Sequence, residues 1–273
     1  MPQTTAIGTD GEFAQLPSAP VVQRRWVTVA TGGHISGVFW GTAAPSIVLL
    51  HEAGGSARSW DDLLLVLDRP AIAVDLPGHG RSSWRDRGDY RPRRSAAPLE
   101  EAVRSFAPGR VPVVGRGLGA LAAIAVAARF PEATGRLVLV DTLPGSLAAH
   151  PQPWPASSPV FATREEARGW LAKRAVPDPA RTAELETVQA ADGTWSWRHH
   201  LGSLPEPAPT VLDDESLWEQ LAAVPAPLFV RTHGGPVGDD LADRFRTQVP
   251  GGETVTTEDR PEALAKILRT LIP

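Results

Sequence analysis

The stretch VPVVGRGLGALAAIAVAARFPE, residues 111–132, holds the arrangement of residues that most directly suggests chemistry. An apolar run leads into GRGLG and continues as an alanine-rich segment. That is the strand, sharp turn and helix of a nucleophile elbow, written G-x-S-x-G, in which a serine stands exposed at the tip. Here the tip is Gly117. The sequence therefore predicts a corner typical of catalysis that carries no attacking side chain.

Four polar side chains, those of Glu52, Arg116, Asp141 and His233, each follow an apolar run. If the runs are parallel strands, their carboxyl ends meet at one edge of the sheet and the four side chains project toward one place. A desolvated Glu52 could act as a general acid or base, and the donors of Arg116 could bind a carboxylate or phosphate. Each residue also has a non-catalytic interpretation. Glu52 could simply form a salt bridge with Arg116, Asp141 could cap its loop, and His233 could be solvated.

The elements that must position these residues alternate along the chain from residue 22 onward. Short β-type runs separate segments whose apolar residues recur at three- and four-residue spacing, which is typical of a mainly parallel sheet flanked by helices. Strands are predicted at 24–30, 34–41, 46–52, 71–78, 111–117, 136–142, 226–233 and 253–257. Helices are predicted at 57–68, 97–106, 118–130, 163–175, 214–224, 239–249 and 261–272.

The rhythm is interrupted by a segment rich in Pro, Trp and charge. It behaves as a cap inserted between the sixth and seventh core strands, and Thr163 signals the start of one cap helix. The predicted division of the chain is a flexible leader at 1–21, a core at 22–142 and 223–273, and the cap at 143–222.

The composition and charge of the chain limit the kinds of binding partner that we expect. The chain of 273 residues has a net charge of -4, which gives no basic field for nucleic acid or anionic lipid. Its longest uncharged apolar run, Leu118–Ala128, is far shorter than the roughly 20 residues of a membrane helix. There is no cysteine, and no ligand cluster has metal-like spacing, so we expect no metal and no cofactor. The first twenty residues lack the features of a secretory signal, which favours a cytoplasmic location. The oligomeric state is left open.

Together, the order of strands and six motifs resembles the α/β-hydrolase fold over roughly residues 22–273. The resemblance implies an α/β protein with a mainly parallel, eight-stranded sheet, flanking helices and a helical cap. The motifs are HEAGG at 51–55, DLPGHGRSS at 75–83, GRGLG at 115–119, LVLVD ending at Asp141, DGTWSWRHH at 192–200 and DRPEAL at 259–264.

Active members of this family carry serine, a carboxylate and histidine, in that order along the chain. The resemblance places the serine position at Gly117 and the histidine position, seven residues before Pro261, at Thr254. The usual acid position falls near Gly235, although Asp141 stands where other members carry the acid. With both the nucleophile and the base replaced, the resemblance excludes serine-hydrolase chemistry by the usual route.

What the resemblance leaves in place is an oxyanion site and a pocket. Backbone N–H groups of Leu118 and Ala53 are expected to stabilise a developing negative charge. Tryptophan rings give a capped pocket large apolar walls, or else only pin the cap to the core. His51, the first residue of HEAGG, either contacts substrate or forms hydrogen bonds within its own loop. The predicted substrate-binding residues are His51, Trp60, Trp154, Trp170 and Trp197.

Three functions remain open from the sequence. The leading prediction is a cofactor-independent lyase, isomerase or cyclase that acts on a small, largely apolar organic substrate in specialised biosynthesis, through positioning, oxyanion stabilisation and proton transfer. The second is a pseudoenzyme that binds a ligand or a protein partner without turnover. The third is a hydrolase with relocated groups, in which Glu52 or His233 activates water.

Overall fold

The protein is described by a computed structural model that covers residues 21–85, 88–149, 159–174, 176, 178–203 and 214–272, together with Phe13 and Leu16. The predicted leader therefore lies almost wholly outside the described residues. The strands are β1 (Val22–Thr28), β2 (His34–Trp40), β3 (Val48–Leu50), β4 (Ala71–Val74), β5 (Val113–Arg116), β6 (Leu137–Val140), β7 (Thr187–Gln189), β8 (Trp195–Trp197), β9 (Leu228–Thr232) and β10 (Glu253–Thr257).

Eight of these strands form one sheet in the order β1-β2-β4-β3-β5-β6-β9-β10. The β1/β2 and β2/β4 pairs are antiparallel, and every other pair in the sheet is parallel. Strands β3, β4 and β6 are buried along their whole length because helices cover both faces of the sheet. The predicted α/β fold with a mainly parallel, eight-stranded sheet is confirmed.

The helices fill the connections between strands. Short 3-10 helices at Ala57–Trp60 and His200–Ser203 accompany them. None of the described helices is long and apolar enough to cross a membrane. The α-helices are α1 (Asp61–Leu67), α2 (Pro92–Phe106), α3 (Leu118–Arg129), α4 (Ser146–Ala149), α5 (Arg164–Ala172), α6 (Pro179–Glu186), α7 (Asp214–Ala223), α8 (Asp239–Gln248) and α9 (Pro261–Arg269).

Helix α2 begins five residues earlier than the sequence predicts. Pro92 opens it, at a position where a missing N–H costs nothing, and Pro98 lies inside it. Because Pro98 has no N–H, the carbonyl oxygen of Arg94 loses its helical donor. That oxygen instead accepts a hydrogen bond from Nη2 of Arg85 at 2.9 Å. A side chain from the preceding loop thus repairs the interruption that made the start of this helix hard to predict.

The core consists of one apolar layer on each face of the sheet. Alternation along β3 shows the division, since Val48 and Leu50 join one layer and Leu49 joins the other. Helices α2, α3, α7 and α8 pack on the first face, and α1 and α9 on the second. The carboxyl ends of β3, β5, β6, β9 and β10 are therefore held at one rigid edge.

The segment between β6 and α7 carries a small cluster of its own. We call residues 159–203 of this segment the insert; it contains α5, α6 and the antiparallel pair β7/β8. Thr163 caps α5 as predicted, its side chain accepting a hydrogen bond from the Glu166 amide. The pair β7/β8 is not predicted from the sequence, because strands of three residues are too short for an alternating pattern to stand out.

Candidate active site

The turn between β5 and α3 has an unusual backbone. Gly117 adopts φ 55 and ψ -130, which side-chain-bearing residues rarely tolerate. Its N–H donates to Oγ1 of Thr142 at 2.7 Å. A Cβ placed on Gly117 would lie only 2.7 Å from the Cβ of Glu52. The side chain of Glu52 therefore starts at the tip of this turn.

A cavity of about 330 Å³ opens beside this turn, at the carboxyl ends of the strands. The four residues predicted to be catalytic, Glu52, Arg116, Asp141 and His233, all line it. Gly117, Gly235 and Asp259 line it as well. The structure thus brings the predicted polar residues together, while their roles stay a prediction.

Asp141 is the most firmly held of these groups. Its φ of 47 lies in the left-handed region, so the conformation persists only because its surroundings fix it. Oδ1 accepts from the Thr232 amide at 2.7 Å, and Oδ2 accepts from the Thr232 hydroxyl at 2.7 Å. Oδ2 also accepts from Nη2 of Arg116 at 3.1 Å. Asp141 is therefore a fixed anchor for the guanidinium group.

Arg116 links two carboxylates across the cavity. Its Nη2 donates to Oδ1 of Asp259 at 2.8 Å as well as to Asp141. Burial by itself lowers the pKa of Arg116, but Asp259 and then Glu52 and Asp141 outweigh it and raise the pKa. The guanidinium stays charged and cannot take up a proton. It supplies a fixed positive charge beside Glu52, and a base must come from elsewhere.

Asp259 was missed by the sequence analysis as a site residue. The signal was present, because DRPEAL begins two residues after the end of β10 and so places an acidic residue at the same edge of the sheet. A second cavity of about 190 Å³ shares Glu52, Arg116 and Asp259 with the first. Trp60 lines this second cavity, so its predicted contact with substrate stays a prediction.

His51 lies outside both cavities and is fully buried. Its Nδ1 bonds the Glu52 carbonyl oxygen at 2.7 Å, and its Nε2 accepts from the Leu76 amide at 2.9 Å. One ring nitrogen therefore donates and the other accepts, as in a neutral imidazole. Burial also lowers the pKa of His51, against the opposing effect of Asp75. These bonds fix the backbone at Glu52, and the predicted contact of His51 with substrate stays a prediction.

The other predicted residues occupy different places. Trp170 and Trp197 pack with Phe161 inside the insert and line neither cavity, because their rings form the insert's own core. Trp154 lies outside the described residues. Thr254 is exposed on β10 and also lines neither cavity.

The predicted oxyanion donors lie at the turn. Leu118 packs there against the buried cluster of Ala53, Tyr90 and Leu201. Leu118 opens α3, so its N–H has no acceptor within the helix, and the Ala53 nitrogen is 3.9 Å from a Cβ built on Gly117. Within the described ranges, no three His, Asp or Glu side chains are grouped so as to hold a metal ion.

Known proteins resemble this chain over most of its length. A family profile described as the alpha/beta hydrolase family matches residues 47–266. The chain is 32% identical over 265 residues to the esterase Rv0045c of Mycobacterium tuberculosis, covering 88% of this chain and 87% of the esterase. The crystal structure of that esterase superposes with a TM-score of 0.78 and 30% identity, covering 97% and 99% of the two chains.

The lipase LipV of the same organism is 31% identical over 175 residues, or 60% of this chain and 66% of the lipase. These relatives correct the leading prediction from the sequence. An esterase and a lipase are hydrolases, so the prediction of a lyase, isomerase or cyclase is wrong. That prediction rested on Gly117 and Thr254 standing at the serine and histidine positions, and this placement stays a prediction.

Proposed function

Since the chain belongs to the alpha/beta hydrolase family, we propose that it is an esterase-type hydrolase in which Glu52 activates water. Glu52 supports this proposal by its position. Its Cβ lies only 2.7 Å from the point where a Cβ on Gly117 would stand, and it lines the cavity of about 330 Å³. Its carboxylate lies beside the loop of the predicted oxyanion donor Ala53, with Oε1 3.2 Å from a Cβ built on Gly55.

The proposal includes the replacement of the family's three catalytic residues. Gly117 stands at the serine position of the family, Thr254 at the histidine position and Gly235 at the usual acid position. Gly117 has no nucleophilic atom, and Arg116 is charged and cannot act as a base. Of the carboxylates that line the cavity, Glu52 is the one whose Cβ lies beside Gly117, while both oxygens of Asp141 already accept hydrogen bonds.

The reaction needs no acyl link to the protein. Glu52 takes a proton from water as the water oxygen attacks the ester carbonyl carbon, and the carbonyl electrons move to oxygen. The N–H groups of Leu118 and Ala53 hold that oxyanion, and the charge of Arg116 favours it. Collapse of the intermediate breaks the bond to the alcohol oxygen, which takes the proton back from Glu52. The products are a carboxylic acid and an alcohol.

The cavity suits a small ester. Its volume of about 330 Å³ is at the low end of the range for small-molecule sites. In this proposal the insert serves as the cap over the strand ends, with the domain boundaries drawn from the sequence, and no macromolecular partner is required. A cytoplasmic location stays a prediction that cell fractionation would test.

Replacing the base tests the proposal. We expect the unmodified protein to hydrolyse short p-nitrophenyl esters, and Glu52→Gln to lower kcat by about 10²- to 10⁴-fold because the amide cannot accept a proton. Glu132→Gln is the matched control, since Glu132 is exposed and lines neither cavity. Its kcat should stay unchanged. If the unmodified protein hydrolyses none of a series of p-nitrophenyl esters of different acyl length, the hydrolase proposal fails. The protein would then bind a ligand without catalysis.

The route of attack has a separate test. A single turnover in ¹⁸O-labelled water should place the label in the product acid and none in Glu52, read by peptide mass spectrometry. A fluorophosphonate should leave no covalent adduct, because no serine attacks. Label in Glu52 would show that the carboxylate attacks the ester itself, and an adduct on a serine would overturn the mechanism.

A further inference from the structure

A buried carboxyl group of the insert contacts the loop that carries Glu52. Glu186 is the last residue of α6 and is only 3% exposed. The hydroxyl of Ser56 donates to its Oε1 at 2.8 Å. Its Oε2 has no hydrogen-bond partner among the described residues. Glu186 lines neither cavity, and its hydrogen-bonded contact with the loop that carries Glu52 is made through Ser56.

Ser56 closes the turn that begins at Glu52. The Gly55 amide donates to the Glu52 carbonyl oxygen at 3.2 Å, and Oε1 of Glu52 lies 3.2 Å from a Cβ built on Gly55. Ser56 caps the 3-10 helix that follows, where its hydroxyl accepts from the Arg58 amide at 3.3 Å. One hydroxyl thus joins the turn, the next helix and the insert.

The charged groups around Glu186 come from three other parts of the chain. Burial is the main effect and raises its pKa. The Ser56 hydrogen bond lowers it, Asp75 after β4 and Glu52 after β3 raise it, and Arg198 after β8 lowers it. The net pKa is about 8. At neutral pH the carboxyl group is therefore protonated, and above pH 8 it becomes a buried anion facing two carboxylates.

Resting on the hydrolase function proposed above, we propose that Glu186 is a positioning residue. Its uncharged carboxyl group holds Ser56, and through Ser56 it fixes the turn that carries both the base Glu52 and the oxyanion donor Ala53. Loss of the contact releases this turn, and ionisation of Glu186 places a buried anion near Glu52 and Asp75, whose repulsion displaces the turn although the carboxylate still accepts from Ser56. A displacement of a catalytic base or an oxyanion donor by about 1 Å is enough to lower the rate on the order of 10²-fold.

The dependence of kcat on pH in the alkaline range, which we call the alkaline limb, tests the positioning role of Glu186. We expect kcat of the unmodified protein to fall as pH rises through about 8, the pKa of Glu186. Glu186→Gln keeps an oxygen that accepts from Ser56 but cannot ionise, so its kcat should stay level up to pH 10. Glu186→Ala loses the acceptor, and its kcat should drop at least 10-fold at pH 7 with a smaller change in KM.

Glu184→Gln is the matched control on the same helix, and it should retain the alkaline limb of the unmodified protein. The spontaneous alkaline hydrolysis of the ester is subtracted at each pH. A profile of Glu186→Gln that falls with the same midpoint as the unmodified protein would overturn the proposal. So would an unchanged kcat in a folded Glu186→Ala protein.

Amide hydrogen exchange separates this proposal from the proposed function. Measured without substrate and corrected for intrinsic rates, exchange over residues 52–60 should be faster in Glu186→Ala, and faster at pH 9 than at pH 7 in the unmodified protein only. If no ester is hydrolysed but exchange follows this pattern, the hydrolase function fails and the contact remains. If exchange is unchanged, the positioning role fails whatever the activity.

Discussion

Two arginine–carboxylate clusters lie at the ends of the strands, and they differ in their exposure to water. Nη1 of Arg24 donates to Asp75 at 2.5 Å, with side chains 5% and 0% exposed. Arg116 and Asp259 meet at 2.8 Å, with side chains 34% and 66% exposed. The buried pair fixes the architecture, while the open pair leaves charge where a substrate can reach it.

Burial alone does not decide the charge of a carboxyl group. It would raise the pKa of Asp75, but Arg24 and the backbone amides of Ala57 and Arg81 more than reverse this and lower it. Glu186 is also buried, but its carboxyl oxygens have only the Ser56 hydroxyl as a hydrogen-bond partner among the described residues, and Arg198 offsets burial too little, so its pKa rises to about 8. Near neutral pH one group is an anion and the other is neutral, and the difference lies in their partners.

The largest expected effect is the loss of the buried arginine. Arg24→Met leaves Asp75 as an uncompensated buried charge, which should lower the free energy of unfolding at pH 7 by about 3–5 kcal/mol. Urea denaturation followed by tryptophan fluorescence measures it. Because the pKa of Asp75 lies below its usual value in the folded protein, the stabilisation is present above the unfolded pKa of 3.8 and is lost as pH falls through the folded pKa.

Arg69→Met is a suitable control for that measurement, because Arg69 is exposed and bonds only the carbonyl oxygen of its neighbour Asp68 in the described structure. We expect it to change stability by less than about 0.5 kcal/mol. A loss below about 1 kcal/mol in Arg24→Met would mean that Asp75 finds another partner or takes up a proton, and the contrast between the two clusters would then fail.

Much of the fold could be predicted from the sequence because its signals are local. Fully apolar runs mark β3, β4 and β6, and three- and four-residue spacing marks α3 and α9. The start of α2 could not be predicted, since it depends on Arg85 reaching the carbonyl oxygen of Arg94. Contacts between distant parts of the chain leave no periodic pattern in the sequence, so they cannot be predicted from it.

The candidate site shows the same limit. Glu52, Arg116, Asp141 and His233 could be grouped because each follows a strand that ends at the same edge. Glu186 could not, because its importance comes from burial and from Ser56, a residue 130 positions earlier in the chain. The reaction class was predicted wrongly because it was inferred from the residues expected at two positions, Gly117 and Thr254, whereas the relatives matched over most of the chain are hydrolases.

An intermediate effect is expected at the elbow, where Gly117 combines a positive φ with close contact. In Gly117→Ala the new Cβ meets Cβ of Glu52 at 2.7 Å, so stability should fall by about 2–4 kcal/mol from strain and crowding together. Gly193→Ala is the matched control, with φ +87 and nothing within 4 Å, and should lose only about 1 kcal/mol. Equal losses in thermal unfolding would show that Glu52 yields freely, and would weaken its assignment as a positioned base.

The smallest expected effect is at the open pair. Asp259→Asn removes one partner of Arg116, but the guanidinium keeps Asp141 and remains in contact with water. We expect a loss of stability below about 1 kcal/mol, and smaller still in 1 M salt, because exposed ion pairs are weak and screened. The salt dependence of the difference in urea midpoint between Asp259→Asn and the unmodified protein measures it. A loss as large as that of Arg24→Met would show that the mouth of the cavity is part of the folded core, so that the charges proposed to meet substrate serve the architecture instead.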